Sequence, residues 1–229
     1  MMATEKNRIK CVFSDLDNTI LDFHTARRIA CGAIIDRMGA GDREEFHDWY
    51  LSSVYDIEDL RNIADYQKHL GIYSNGFYLE CARLYESVKM ENIRAYPGVC
   101  DTIDRIRAAG IPVIVVTDAT IDHAMLRLSH TDILRRLDGL ITADMTGLKK
   151  PAEGIYRFAL SETGMENCPE KTLFVGDSLR RDITPAKSVG METVLASYGD
   201  HGEKGNTLSR PEYPADHIIE KYEEILEYL

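Results

Sequence analysis

The chain lacks the residue patterns of a zinc site, a disulfide framework or a membrane span. Its five cysteines, Cys11, Cys31, Cys81, Cys100 and Cys168, lie far apart and include no Cys-x-x-Cys pair. They read as small buried apolar residues, the usual fate of a free cysteine. The seven histidines are dispersed and form no His-Glu-x-x-His pattern. No apolar run approaches the roughly 20 residues that a bilayer-spanning helix needs. The first residues, Met1 to Arg8, carry no apolar segment of signal-peptide type, so a reducing, cytoplasmic setting is expected. Basic residues are in deficit, 27 Lys+Arg against 38 Asp+Glu, for a formal net charge of -11. That balance argues against a nucleic-acid or anionic-membrane partner.

What the chain does have is length enough, at 229 residues, for one large domain or a core with an insert. From about Asp22 to Tyr96 apolar residues recur at helical spacing with no β-branched run. Phe23, Ala26, Ala30, Ala33, Ile34 and Ile35 predict one helix, ended by Gly39-Ala40-Gly41, and Glu44 to Val54 a second. Ile57, Leu60, Ala64 and His69-Leu70 predict a third before Gly71, and Phe77, Cys81, Leu84, Tyr85 and Val88 a fourth. After Tyr96-Pro97-Gly98 strands and helices alternate, the mark of a parallel sheet with crossover helices. Strands are predicted at 112–117, 139–142, 172–175, 192–196 and 216–219, with helices at 121–137, 152–163 and 181–189. The stretch from Gly199 to Pro214, rich in Gly, Pro and charge, reads as a surface loop. The expected architecture is an α/β core of mostly parallel sheet from 1–21 and 97–229, with a helical insert over 22–96 that roofs the site.

The first strand, Cys11-Val12-Phe13, runs into Asp15-Leu16-Asp17-Asn18-Thr19. Residues two apart on a strand point the same way, so Asp15 and Asp17 are expected to address one substrate. The C-terminal edge of a parallel sheet is where such folds bind ligands. Three later segments end in suitable polar residues: Thr117-Asp118-Ala119-Thr120, Lys149-Lys150-Pro151, and Gly176-Asp177-Ser178-Leu179-Arg180-Arg181-Asp182. Each has a bland reading of its own. Thr117, Asp118, Asp177 and Ser178 are common helix caps, and Lys150 is an ordinary lysine beside a helix-starting proline.

Together and in this order, the four segments resemble the haloacid dehalogenase-like hydrolase superfamily. Its signatures are Asp-x-Asp-x-Thr, a Thr or Ser ending the next strand, a Lys often followed by Pro, and Gly-Asp-x-x-x-x-Asp. The place and length of the helical insert resemble that family's cap. The resemblance implies a Rossmann-like three-layer core and phosphoryl transfer through an aspartyl-phosphate, with Mg²⁺ as cofactor. It implies Asp15 as nucleophile, Asp17 as proton carrier, Thr117 and Asp118 at the phosphoryl oxygens, and Lys150 offsetting their charge. The metal would be held by Asp15, Asp177, the backbone carbonyl of Asp17 and, with lower weight, Asp182. Electrostatics agrees, since a carboxylate can attack an anionic phosphate monoester only with a cation between them, and an oxygen-ligand cation such as Mg²⁺ suits carboxylates.

Asp17 favours an O–P substrate over a halide, because a departing halide needs no proton. The chain departs from the family pattern where Lys149 competes with Lys150, where Asp118 stands in place of a frequent Asn, and where Pro185 occupies a helix position. Asp22, His24, Arg27, Arg28, Lys68 and Tyr73 are polar candidates for substrate choice, against the alternative of a solvated helix face. The expected partner is a small phosphorylated metabolite; the competing readings are a phosphomutase, a dehalogenase, a receiver-type signalling domain and a phosphate-binding regulatory protein.

Overall fold

A computed structural model of the chain describes residues 9–52, 55, 59–202 and 214–229. The apolar runs form six strands: β1 (Cys11–Ser14), β2 (Val113–Thr117), β3 (Gly139–Thr142), β4 (Thr172–Gly176), β5 (Glu192–Ala196) and β6 (His217–Ile219). They make one sheet in the order β3-β2-β1-β4-β5-β6, and every pairing is parallel. The sheet is thus wholly parallel among the described residues, not mostly so. Every residue of β1, β2 and β4 is buried, which explains why these strands read as continuous apolar runs without alternation. Register places Phe13 opposite Ile114 on one side and Phe174 on the other.

The chain divides into two compact units, Met1–Asp22 with Ala95–Leu229, and Phe23–Arg94. Asp22, Ala95 and Tyr96 therefore fall with the sheet and not with the insert, where the 22–96 boundary put them. A bridge between Leu21 and Ala95, and the Tyr96 N–H donating to the Ile20 carbonyl at 2.9 Å, tie these crossing segments to the sheet unit.

In that unit, α5 (Val99–Ala108), α6 (Ile121–His130), α7 (Ala143–Thr146), α8 (Glu153–Glu162) and α9 (Thr184–Ser188) supply the helices. Ile155, Tyr156, Ala159 and Leu160 of α8 and Ala186 of α9 share a core cluster with Phe13, Val116 and Phe174. Each large apolar side chain so buried contributes about 1.5–3 kcal/mol. Several predicted spans change. The 121–137 helix stops at His130, because Asp132 takes a left-handed φ of 60° and the Thr131 hydroxyl donates to the Arg127 carbonyl at 2.8 Å. A short turn at Leu134–Arg136 follows. The 181–189 helix is replaced by a wide turn over Leu179–Ile183, closed by the Ile183 N–H on the Ser178 carbonyl, and then by α9 with Pro185 in its first turn. Unread in the sequence were α5, although Val99, Ile103 and Ile106 carry helical spacing, as well as α7 and the turns at Tyr222–Tyr228.

The other unit is helical: α1 (Phe23–Met38), α2 (Arg43–Ser52), α3 (Arg61–His69) and α4 (Asn75–Asn92). Val54 and Ile57 of the predicted second and third helices lie outside the described residues, as do 203–213 of the predicted loop. Ala30, Ile34, Phe46, Tyr50, Ile63, Tyr66 and Tyr85 share its core, where Tyr50 stacks on Tyr85 with centroids 5.3 Å apart. Arg27 is buried in this unit, not solvated, and Lys68 pairs with Asp65 at 2.9 Å. Cys11, Cys31 and Cys81 are buried as expected, whereas Cys100 and Cys168 are only half-buried.

One glycine shows how closely the loops at the sheet edge approach one another. In the turn Ser197–Gly199 after β5, the Tyr198 hydroxyl donates to the Thr19 carbonyl at 2.7 Å. A β-carbon on Gly199 would lie 1.9 Å from the Asn18 carbonyl oxygen and 2.9 Å from the Asp177 β-carbon. Backbone cannot yield as a flexible side chain does. Gly199→Ala is therefore expected to cost about 1–3 kcal/mol as overpacking, seen as a fall of several degrees in Tm; an unchanged melting curve would show that the two loops separate freely.

Candidate active site

Parallel pairing brings the C-terminal ends of β1, β4 and β2 to one edge of the sheet. Asp15 follows β1 directly, and its N–H donates to the Val175 carbonyl at 2.8 Å, so the ladder holds it against β4. Thr117 ends β2, and Asp177 follows Gly176 at the end of β4. Lys150 comes from the segment between α7 and α8. Its backbone N–H donates to Asp118 Oδ1 at 2.7 Å, fixing that segment to the loop after β2.

Side chains from three of these segments meet out of water. Lys150 Nζ lies 2.5 Å from Asp15 Oδ1 and 2.6 Å from Asp182 Oδ1, and all three residues are buried. Asp182 Oδ2 accepts the Ser178 N–H at 3.0 Å. Gly176 makes room for this, since a β-carbon there would stand 2.4 Å from that of Asp182. Asp15, Asp177 and Asp182 each offer a carboxylate oxygen, all within 4.8 Å of one another.

Such crowding has electrostatic consequences. Burial pushes the Asp15 carboxyl up to about 7 while the Lys150 ammonium pulls it down. Burial, then the charges of Asp182 and Asp15, raise Asp177 well above the carboxylate range. Burial works against the charge on Lys150, but the Asp15 and Asp182 carboxylates outweigh it and hold the ammonium protonated. Arg181, with a guanidinium nitrogen 4.0 Å from Asp118 Oδ2, is likewise held charged by Asp182, Asp177 and Asp15 against its burial. Three carboxylates thus face two cations. An all-oxygen cluster with negative charge in excess fits a hard divalent cation such as Mg²⁺.

Not every residue singled out in the sequence stands where expected. Lys149 is exposed, so the cluster holds Lys150 alone of the two lysines. Thr117 is buried, with Oγ1 accepting the Ala119 N–H at 3.2 Å. The Asp118 carboxylate is turned to the Lys150 backbone. Because β1 stops at Ser14, strand alternation does not set the direction of Asp17. Its side chain stands outside the carboxylate cluster, with Oδ2 accepting from Arg127 Nη1 at 2.5 Å. Arg127 and Arg181 were missed in the sequence. Arg127 was nevertheless signalled by Ala124, Arg127 and Leu128, whose spacing sets an arginine on the inward face of α6.

Comparison with known proteins shows the family. The family model for haloacid dehalogenase-like hydrolase matches residues 9–190. The chain is 28% identical to a glyceraldehyde 3-phosphate phosphatase of Pyrococcus furiosus, over 97% of this chain and 93% of that one. It is 29% identical to a glyceraldehyde 3-phosphate phosphatase of Methanocaldococcus jannaschii, over 96% of each. Among solved structures it is similar to YfnB of Bacillus subtilis, solved bound to magnesium, with a TM-score of 0.75 at 18% identity over 96% of this chain and 98% of that one. The match to the family model covers most of the chain, and with it the buried acid–lysine cluster: the chain belongs to the haloacid dehalogenase-like hydrolases and is an enzyme of that class.

Proposed function

We propose that the protein is a Mg²⁺-dependent phosphatase that hydrolyses a small phosphorylated metabolite through an aspartyl-phosphate on Asp15. The observation that carries this reading is the Lys150 ammonium fixed between Asp15 and Asp182, with Asp177 beside them. It is an anion site built around a carboxylate, which suits a nucleophile attacking a negatively charged group. Phosphatase relatives aligned over nearly the whole chain support the reaction class, and their substrate favours a small sugar-like phosphate.

The residues divide the work as follows. Asp15 attacks phosphorus through a carboxylate oxygen as the P–O bond to the leaving alcohol breaks, and that alcohol oxygen takes a proton from Asp17. Water then gives a proton to Asp17 as its oxygen attacks the acyl-phosphate, releasing inorganic phosphate and restoring Asp15. Thr117 donates its hydroxyl proton to a phosphoryl oxygen, and Lys150 offsets the charge of the phosphoryl group. Asp118 serves by holding the Lys150 backbone. Asp15, Asp177 and Asp182, with the Asp17 backbone carbonyl, would hold the Mg²⁺, which when bound offsets phosphate charge against that of the nucleophile.

Purified protein assayed against a panel of phosphometabolites is expected to release phosphate, and Asp15→Asn to lose more than about 10³-fold of that activity. Activity that survives the substitution would sink the mechanism. Asp17→Asn is expected to slow turnover by about 10²–10⁴-fold while binding of a phosphate analogue persists; loss of folding in its place would assign Asp17 a structural role. Binding of Mg²⁺ is read separately by thermal denaturation. At 100 times its Kd the ion should stabilise by about 2.7 kcal/mol, and Asp177→Asn should abolish the shift. An equal shift in the variant would remove Asp177 from the metal site.

A further inference from the structure

We propose that Arg127 is a positioning residue for Asp17, clamping one carboxylate oxygen so that the other is presented for proton exchange. The inference rests on the proposed role of Asp17 and adds to it a residue from a different helix. Arg127 is only 1% exposed, and its Nη1 donates to Asp17 Oδ2 at 2.5 Å across 110 residues of sequence. Asp17 Oδ1 is buried and accepts no hydrogen bond in the structure. The carboxylate therefore has one oxygen committed to a cation and one uncommitted.

The placement follows from the fold. Helix α6 begins beyond the end of β2, the strand beside β1, so its N-terminus lies towards the edge that carries Asp15. Side chains on a helix lean towards its N-terminus. A long side chain in the second turn, pointing inward with Ala124 and Leu128, can thus reach back to the loop after β1. Asp17 itself is held by local structure: the Asn18 N–H donates to the Leu21 carbonyl at 2.6 Å, and the Ile20 and Leu21 N–H groups both donate to the Leu16 carbonyl at 2.9 Å. These bonds fix the backbone of the loop but leave the Asp17 side-chain torsions open. The guanidinium supplies a further constraint by one charge-assisted hydrogen bond, which holds Oδ2 and leaves Oδ1 unbonded.

Stability alone is a weak reason for such a pair. Taking the Arg127 guanidinium out of water costs several kcal/mol, and the partner that offsets this, Asp17, keeps 22% of its side chain exposed. Burial also argues against Arg127 as a direct phosphate ligand, because the group has little surface to offer.

The test is a double-mutant cycle on the Mg²⁺-loaded enzyme with glyceraldehyde 3-phosphate, an alkyl phosphate whose leaving alcohol needs a proton, measuring kcat, KM and Tm for Asp17→Asn, Arg127→Met, Arg127→Lys and the combinations with Asp17→Asn. A mis-set reacting group costs about 10²-fold, so Arg127→Met should lower kcat by that order with KM within about twofold of wild type. Arg127→Lys should recover part of the loss. Combined with Asp17→Asn, neither substitution should slow turnover further. Wild-type kcat in Arg127→Met beside a slow Asp17→Asn would overturn the proposal and leave the role of Asp17 standing, as would losses that multiply in the double variant. Wild-type kcat in Asp17→Asn would overturn both. Should Arg127→Met fail to fold, the cycle with Arg127→Lys, which keeps the buried charge, decides by the same criteria.

Discussion

Three carboxylates buried within a few ångströms of one another cannot all stay ionised unless cations stand among them, and the edge of this sheet is arranged around that constraint. Lys150 answers part of it by bridging Asp15 and Asp182. Unit charges about 4 Å apart interact by about 4 kcal/mol at an effective dielectric constant of 20, so the position of one ammonium decides which acids can ionise. Neighbouring features follow from placing it. Gly176 lets the Asp182 side chain close up against β4, and the Asp118 carboxylate pins the Lys150 backbone. The Ser178 N–H satisfies the second oxygen of Asp182.

The same crowding acts on Asp177. It is as buried as Asp182 and lies beside the two acids that the ammonium bridges. Its carboxyl is driven well above the ordinary range by burial and by those two acids, so in the protein without metal it resists ionisation. A divalent cation bound there would reverse that preference, coupling metal binding to proton release. On this reading the metal site and the nucleophile share one electrostatic unit. Asp182 stands in the same cluster, with Oδ1 on Lys150 and Oδ2 on the Ser178 N–H.

How much of this was legible in the sequence depended on whether the signal was local. Apolar runs such as Val113–Val116 announced buried parallel strands, and the sheet pairs them as those runs imply. The end of α6 was obscured because Ile133 and Leu137 continue the helical period past the break. A left-handed residue at Asp132 and the Thr131 hydroxyl end the helix, and neither disturbs the apolar pattern. The wide turn before α9 was signalled only in part: Pro185 marks a first helical turn, but the placement of Asp182 under the Ser178 N–H leaves no mark in the chain. At the candidate site the segments were readable because three of them follow strand ends and the fourth, at Lys150-Pro151, shortly precedes a helix. Arg127 was not, because a charge on a helix is ordinarily a solvated one; only its spacing with Ala124 and Leu128 distinguishes it, and its partner lies 110 residues away.

Asp15 and Asp17, two positions apart in one loop, end in different surroundings because each faces a different kind of cation. Asp15 meets an ammonium, a compact charge that holds its partner without fixing a plane and is itself shared with Asp182. In the proposed mechanism such a contact leaves Asp15 free to turn towards phosphorus. Asp17 meets a guanidinium that holds one carboxylate oxygen, Oδ2, from a buried helix position. In its proposed role Asp17 serves a leaving alcohol and then a water from the same place, and gains from being held there. The distinction between the two acids thus lies less in their position along the chain than in Lys150 and Arg127, brought to them by the segment before α8 and by α6.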